Sequence, residues 1–96
     1  MFWSKVYRVK DHVVVAICDK ELINKKIDFH GVKVHVSEKF YGGEIIDEEK
    51  AIKLLENSTI GNLIGEKIVN LAIKRKYVDK KNTILIGGIP HAQFIQ

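Results

Sequence analysis

The alternation of apolar and polar residues predicts three β-strands in the first 40 positions. From Lys5 to Lys10 the two kinds of side chain alternate, as in a half-buried strand. Residues 12 to 18 form an apolar run rich in β-branched residues, which is typical of a central strand. A tight turn near Asp11 predicts that these two strands pair as an antiparallel hairpin. Residues 32–36 alternate valine with polar residues, which predicts a third strand with one buried face and one solvent-exposed face.

The pattern changes to a helical spacing in the second half of the chain. Acidic residues from Asp47 onward begin a helix predicted over 47–56, because carboxylates favour the positive end of the helix dipole. Apolar residues three and four positions apart predict a longer core helix over 60–76. Gly61 and Gly65 lie four apart in that segment and leave one side of the predicted helix without side chains. We expect this side either to pack closely on the sheet or to form a helix face open to a ligand, with Asn62, Gly65 and Glu66 as the candidate residues.

These elements define the predicted architecture. We expect an α+β protein whose mixed, mainly antiparallel sheet of four to six strands is covered on one face by the two helices. The chain of 96 residues, 46% of them hydrophobic, is the size of one domain and supplies enough apolar material for a core. Residues 1–96 are therefore predicted to be a single α+β domain.

The segment after residue 84 concentrates the polar chemistry of the chain. Residues 84–86 are an apolar run that predicts a strand covered on both faces, and two glycines end it. Glycine permits sharp turns and open amide groups, and proline stiffens the next corner. The segment is either an ordinary turn or a binding loop. The predicted loop residues are Gly87, Gly88, Pro90, His91 and Gln93.

A second glycine pair, Gly42-Gly43, follows Tyr41 and is a further candidate binding loop. It is also typical of a structural bulge or bend. We expect the closing strand over 84–86 to lie centrally and to bring the His91 loop towards Gly42-Gly43 or the glycine side of the second helix. The two glycine pairs and that bare helix side would then form one recess beside a cationic rim.

Positive charge is concentrated between residues 74 and 81. The net charge of +4 permits binding to a polyanion but does not demand it, because both signs are mixed over most of the chain. A local cluster with only one acid, Asp79, is able to meet phosphates, and Tyr77 within it is able to stack on a base. Basic residues are also common at helix ends for structural reasons alone. The candidate nucleic-acid residues are Lys74, Arg75, Lys76, Lys80 and Lys81.

Several classes of protein do not fit the sequence. A single cysteine, Cys18, forms no intramolecular disulfide and no thiolate metal cluster, and the four histidines lack helical metal spacing. Neither glycine pair has the spacing of a phosphate or dinucleotide loop, so we predict no metal and no cofactor. The N-terminus lacks the pattern of a signal peptide, and no segment approaches the length of a membrane span. We expect a cytoplasmic protein, and its lysine- and glutamate-rich composition suits a high working temperature.

Three segments resemble the archaeal DUF424 family of small uncharacterised proteins. They are residues 40–43, residues 62–66 and the ending Gly87-Gly88-Ile89-Pro90-His91-Ala92-Gln93, which is the most specific of the three. The resemblance covers nearly the whole chain, although Gly61 stands where the family is expected to have alanine. It implies a single-domain archaeal cytoplasmic protein associated with translation or the ribosome, and it transfers no catalytic residue.

For function, we favour a non-catalytic module that binds RNA or a ribonucleoprotein through the 74–81 cluster and the glycine-rich loops. One alternative is a small enzyme or ligand-binding protein centred on His91, Gln93 and Glu66, with Glu44 or Glu66 as an acid-base partner of His91. Another is an adaptor or homodimer that uses a protein partner at a sheet edge.

Overall fold

The structure is a computed structural model that describes all residues from Met1 to Gln96. It contains eight strands, three α-helices and two short 3-10 turns. The strands are β1 (Phe2–Val9), β2 (His12–Asp19), β3 (Lys26–Phe29), β4 (Val32–His35), β5 (Glu44–Ile46), β6 (Ile60–Ile64), β7 (Ile84–Ile86) and β8 (Ile89–Ile95). The helices are α1 (Glu38–Tyr41), α2 (Glu48–Glu56) and α3 (Glu66–Lys74), and the 3-10 turns are Lys20–Leu22 and Lys80–Asn82.

Six strands form one mixed sheet in the order β5-β1-β2-β6-β8-β7, and β3 and β4 form a separate hairpin. Only β2 and β6 are parallel, and every other pair in the sheet is antiparallel. The predicted α+β class and the predicted mainly antiparallel sheet are therefore confirmed. The predicted hairpin of β1 and β2 is also confirmed, and its turn contains Lys10 in the left-handed region.

The two longer helices cover one face of the sheet, as predicted. Each buries its apolar side there, because apolar residues recur at intervals of three and four. The buried contacts join Ala51, Leu55, Ile68, Val69, Leu71 and Ala72 to the sheet residues Phe2, Val15, Ile17, Leu63, Ala92 and Phe94. The other face carries the β3-β4 hairpin and α1, which bury Ala16, Cys18, Leu22, Ile27, Val36, Tyr41, Ile64 and Ile86. This second layer covers only part of that face.

The predicted helix over 60–76 is wrong in its first third. Residues Ile60–Ile64 form the strand β6, and helix α3 begins only at Glu66. Isoleucines four residues apart satisfy both a helical repeat and the two-residue repeat of a strand, so the spacing alone did not separate the two. Residues 60–64 form a strand because they pair in parallel with Val14 to Cys18 of β2.

The segment 84–86 is also not a central strand covered on both faces. It forms β7 at the edge of the sheet, where the side chains of Ile84 and Leu85 are 52% and 62% exposed. The chain then reverses through Gly87-Gly88 and returns as β8, between β7 and β6. An apolar run of three residues was too short to distinguish an edge strand from a buried one.

Candidate functional site

The residues predicted to form a C-terminal binding loop lie in a β-hairpin. Gly87 and Gly88 are its two-residue turn, and their φ angles of +55° and +82° match the mirror-image turn that suits the twist of paired strands. Pro90, His91 and Gln93 belong to β8 itself. The glycines therefore have a structural role that requires no ligand, and the loop interpretation is corrected to a strand.

The two glycine pairs do not converge. Gly42-Gly43 leads into β5 at one edge of the sheet, and Gly43 N–H donates to the carbonyl of Ser4 at 3.0 Å. Gly87-Gly88 joins β7 and β8 at the opposite edge, with β1, β2 and β6 between. The predicted single recess between these pairs is therefore wrong, because the strand order separates them.

The helix face predicted from Asn62, Gly65 and Glu66 is divided among three elements. Asn62 lies on β6, Glu66 is the first residue of α3, and Gly65 joins the two with a φ of +125°. Glycine is needed at this joint because other residues rarely adopt that conformation. Gly61 is also on β6, where the ring of Phe94 lies across it. The bare side of a helix that these glycines predicted does not exist.

Asp19 is a structural residue whose position the sequence did not reveal. Strands β2 and β6 are parallel, so their ends meet, and Asp19 at the end of β2 reaches the first turn of α3. Its carboxylate oxygens accept hydrogen bonds from the backbone N–H groups of Lys67 and Ile68, each at 2.9 Å. Burial raises the pKa of Asp19, and these two bonds oppose the rise. Asp19 makes no side-chain capping hydrogen bond to the 3-10 turn that follows it.

Three of the predicted site residues do come together on the partly covered face of the sheet. Tyr41 is buried, and its hydroxyl donates to Oδ1 of Asn62 at 2.5 Å. Gln93 is directly opposite Asn62 across the antiparallel pair of β6 and β8. Burial raises the pKa of Tyr41, so its hydroxyl remains a donor at neutral pH. The hydrogen bond from the buried Tyr41 hydroxyl thus fixes the orientation of the Asn62 side-chain amide.

A groove of about 510 Å³ opens above this pair. We call it the sheet groove. Most of its wall is apolar, its only polar side chains are two amides, and none of its side chains is ionisable. The lining residues are Val14, Phe40, Ile60, Gly61, Asn62, Gln93, Phe94 and Ile95.

His91 lies two positions before Gln93 on β8 and faces the same side of the sheet. It is half-buried, and burial lowers its pKa, so the imidazole is neutral at pH 7. With Asn82, Ile84, Ala92 and Gln93 it lines a recess of about 460 Å³, and Gln93 is shared with the sheet groove. No hydrogen bond or ion pair joins His91 to Glu44 or Glu66. The acid-base pair proposed from the sequence is therefore not formed.

The predicted basic cluster lies on the helical side of the molecule. Lys74 ends α3, Arg75 and Lys76 follow it, and Lys80 and Lys81 lie on the second 3-10 turn. Lys74 and Arg75 line a groove of about 490 Å³ between α2 and α3, and Lys67, which lies outside the predicted cluster, lines it too. We call this the cationic groove. Its remaining lining residues are Glu48, Ile52, Asn70 and Leu71.

A second recess, of about 450 Å³, adjoins the end of α3. We call it the basic recess, and it is lined by Ile73, Lys76, Tyr77, Val78, Asp79 and Lys80. The ring of Tyr77 lies 5.6 Å from that of Phe94, and both rings pack on the helical face of the sheet. Tyr77 therefore links the basic recess to the core between the helices and the sheet.

Two further observations concern chemistry and membranes. No group of three or more His, Cys, Asp or Glu side chains is arranged to hold a metal ion. Cys18 is fully buried, and burial raises the pKa of its thiol to about 12. None of the helices has both the length and the apolar character needed to cross a membrane.

The surfaces of this α+β fold comprise the cationic groove and the basic recess on one side of the sheet and the uncharged sheet groove on the other. The sequence profile of DUF424, described as a protein of unknown function, matches residues 7–96, so the chain belongs to the DUF424 family. No curated protein matches the sequence significantly. The structure is similar to the crystal structure of an uncharacterized conserved protein from Methanopyrus kandleri, with a TM-score of 0.81 and 24% identity over 97% of this chain and 89% of the other. That similarity concerns the fold.

Proposed function

We propose that this protein is a non-catalytic module that binds RNA, alone or within a ribonucleoprotein. The observation that carries the proposal is the series of exposed cations along α3 and beyond its end. Of the five residues in the predicted cluster, only Lys81 forms an ion pair, with Asp79 at 3.9 Å. Lys74, Arg75, Lys76 and Lys80 have no acidic partner, so their charges are available to phosphates.

The arrangement of these cations supports a polyanion rather than a single anion. Lys67, Lys74 and Arg75 line the cationic groove, and Lys76 and Lys80 line the basic recess that follows it. Glu48 also lines the cationic groove, without forming an ion pair with any of its cations. Successive sites along one surface fit the repeated charges of a nucleic-acid backbone.

The same proposal extends to the setting of the protein. The archaeal relative of similar fold supports an archaeal protein, and a single buried thiol suits a reducing cytoplasm. Following the family resemblance, RNA of the translation apparatus is the first target to test. Co-purification of ribosomal RNA with the tagged protein from cell lysate, and its loss after RNase treatment, would support this target.

Charge reversal provides the direct test. The triple variant Lys74→Glu, Arg75→Glu, Lys76→Glu should lose most of its affinity for a fluorescent single-stranded RNA in an anisotropy titration. The slope of log affinity against log salt should become shallower by about 2 units, because each lost phosphate contact on a single strand removes about 0.7.

The matched control is Lys20→Glu, Lys25→Glu, Lys26→Glu, which makes the same change in net charge at exposed lysines without ion pairs. It should retain most of the affinity. Equal weakening by both triple variants would show attraction by net charge alone, and absence of binding by the unaltered protein would refute the proposal.

A second candidate, self-association or an adaptor role, is favoured by the sheet edge. Strand β7 is an edge strand, and its exposed Ile84 and Leu85 lack the charges that usually protect such edges. Light scattering at increasing concentration tests this candidate. A dimer that the variant Leu85→Lys abolishes would support it, and a monomer throughout would contradict self-association.

A further inference from the structure

The sheet groove contains a polar group that is held in place from within the core. The Tyr41 hydroxyl donates to Oδ1 of Asn62, and no hydrogen bond inside the protein uses Nδ2 of the same amide. The Tyr41 side chain is buried, so its hydroxyl has little freedom to point elsewhere. The amide nitrogen of Asn62 therefore remains available as a donor to a ligand in the groove.

A second amide stands beside the first. Gln93 is paired with Asn62 in the register of β6 and β8, its side chain is exposed, and it forms no hydrogen bond within the protein. Residues directly opposite on antiparallel strands have side chains about 5 Å apart. The two amides together offer donors and acceptors at a spacing that suits the edge of a flat heterocycle.

The rest of the groove is apolar and uncharged. Val14, Ile60 and Ile95 form a row across three neighbouring strands, and Ile95 is 80% exposed. The ring of Phe40, which is 37% exposed, adds an aromatic surface at one side. A charged ligand has no ion-pair partner in this groove. A ligand with apolar faces and hydrogen-bonding edges fits it, because the wall contacts the faces and the two amides bond to the edge.

The groove is also close to cations that lie on the other face. Gln93 lines both the sheet groove and the recess beside His91, which Asn82 also lines, and Asn82 belongs to the same 3-10 turn as Lys80 of the basic recess. Strand β7 pairs with β8 only from Ile89 to His91, so no strand covers the outer edge of β8 beyond that point. An extended chain is therefore able to pass around this edge between the two sites.

From these observations we infer that the sheet groove binds an unpaired nucleobase of a single-stranded RNA whose phosphates meet Lys76 and Lys80. Asn62 and Gln93 contact the edge of the base, and Phe40 with the isoleucines contacts its faces. This inference rests on the proposed function. It adds that the protein distinguishes single-stranded RNA from a phosphate chain that lacks bases. The cations alone would bind both.

The test compares two ligands of equal charge. ¹⁵N-labelled protein is titrated with a single-stranded RNA hexamer and with an abasic ribose-phosphate hexamer. The side-chain amide signals of Asn62 and Gln93 should shift with the RNA and not with the abasic chain, and the RNA should bind about tenfold more tightly. Equal binding of both ligands, without shifts at these amides, would overturn the inference.

Two variants separate this inference from the proposed function. Phe40→Leu and Gln93→Ala should each weaken RNA binding about five- to tenfold without changing its salt slope, while Val32→Ala, at an exposed apolar residue on β4, should not weaken it.

The outcomes distinguish the two proposals. If both groove variants bind RNA normally and the double variant Lys76→Glu, Lys80→Glu abolishes binding, the groove inference fails and the proposed RNA binding stands. If the unaltered protein binds neither hexamer, both proposals fail. Shifts at Asn62 with a protein partner but not with RNA would also overturn the inference.

Discussion

The carboxyl group of Asp19 occupies the space next to Gly65 that a side chain at position 65 would need. An ideal Cβ built on Gly65 would lie 2.3 Å from Cγ of Asp19. The same carboxylate holds the first turn of α3 through two backbone hydrogen bonds. The end of β2, the end of β6 and the start of α3 are therefore fixed by one contact.

We expect Gly65→Ala to lower the free energy of unfolding by about 3 kcal/mol. Both the positive φ of +125° and the collision with Asp19 oppose the new methyl group. Urea denaturation followed by circular dichroism measures the loss. Gly88→Ala is the matched control, because Gly88 also has a positive φ but has no atom near its ideal Cβ, so it should lose only about 1 kcal/mol. Equal losses would show that the Asp19 contact contributes nothing.

Gly61→Ala should also destabilise the protein, for a different reason. Gly61 has an ordinary φ, but an ideal Cβ there would lie 2.0 Å from Cε2 of Phe94. Overpacking of this kind costs about 1–3 kcal/mol. Calorimetry should show a lower Tm for Gly61→Ala and a partial recovery in the double variant Gly61→Ala, Phe94→Leu relative to the sum of the two single changes. Strict additivity would contradict the packing argument.

Removal of the Tyr41 hydroxyl should affect both stability and the sheet groove. Tyr41→Phe leaves the ring in place and deprives Asn62 of its donor, which should cost about 1 kcal/mol in urea denaturation. The ¹⁵N signals of the Asn62 side-chain amide should shift as well. Tyr77→Phe is the control, because the Tyr77 hydroxyl forms no hydrogen bond in the structure, and it should change neither quantity.

The stability of the protein should depend on His91 in mildly acidic solution. Burial lowers the pKa of His91 from its ordinary value of 6.5, so the unfolded chain takes up a proton at a higher pH than the folded protein does. The contribution of neutral His91 is therefore complete above pH 6.5 and is lost as the pH falls through the lowered pKa. The difference in unfolding free energy between the unaltered protein and His91→Gln should decrease over that interval. A difference that is constant with pH would contradict this prediction.

The sequence was sufficient for those parts of the fold that depend on local pattern. The alternation in β1, the β-branched run of β2 and the acids that begin α2 each specify an element through neighbouring residues. Helix α3 was placed correctly only from Glu66, because the apolar spacing before it fits a strand equally well. Gly65 marks that boundary, but the space beside it is filled by Asp19, 46 residues earlier in the chain, and the sequence pattern does not show that contact.

The candidate site was predictable in its residues and not in its arrangement. Tyr41, Asn62 and Gln93 were all singled out, but each was assigned to a different feature, and neither the helix face predicted for Asn62 nor the loop predicted for Gln93 is formed. Their meeting depends on the strand order, which places β6 beside β8, and on α1, which packs on β1 and β2 and brings Tyr41 to Asn62. The contribution of Phe40 and Ile95 to the same groove also follows from register, which the pattern of single strands does not determine.

The single parallel pair of the sheet has a consequence for the kinetics of folding. The hairpins β1-β2 and β7-β8 each join neighbouring residues, but Val14 meets Ile60 only after the intervening segment has been brought round. Closing such a distant contact is slow, because chain entropy is lost before the contact stabilises anything. We therefore expect refolding over milliseconds to seconds rather than microseconds, with two early hairpins that β6 joins late through its pairs with β2 and β8.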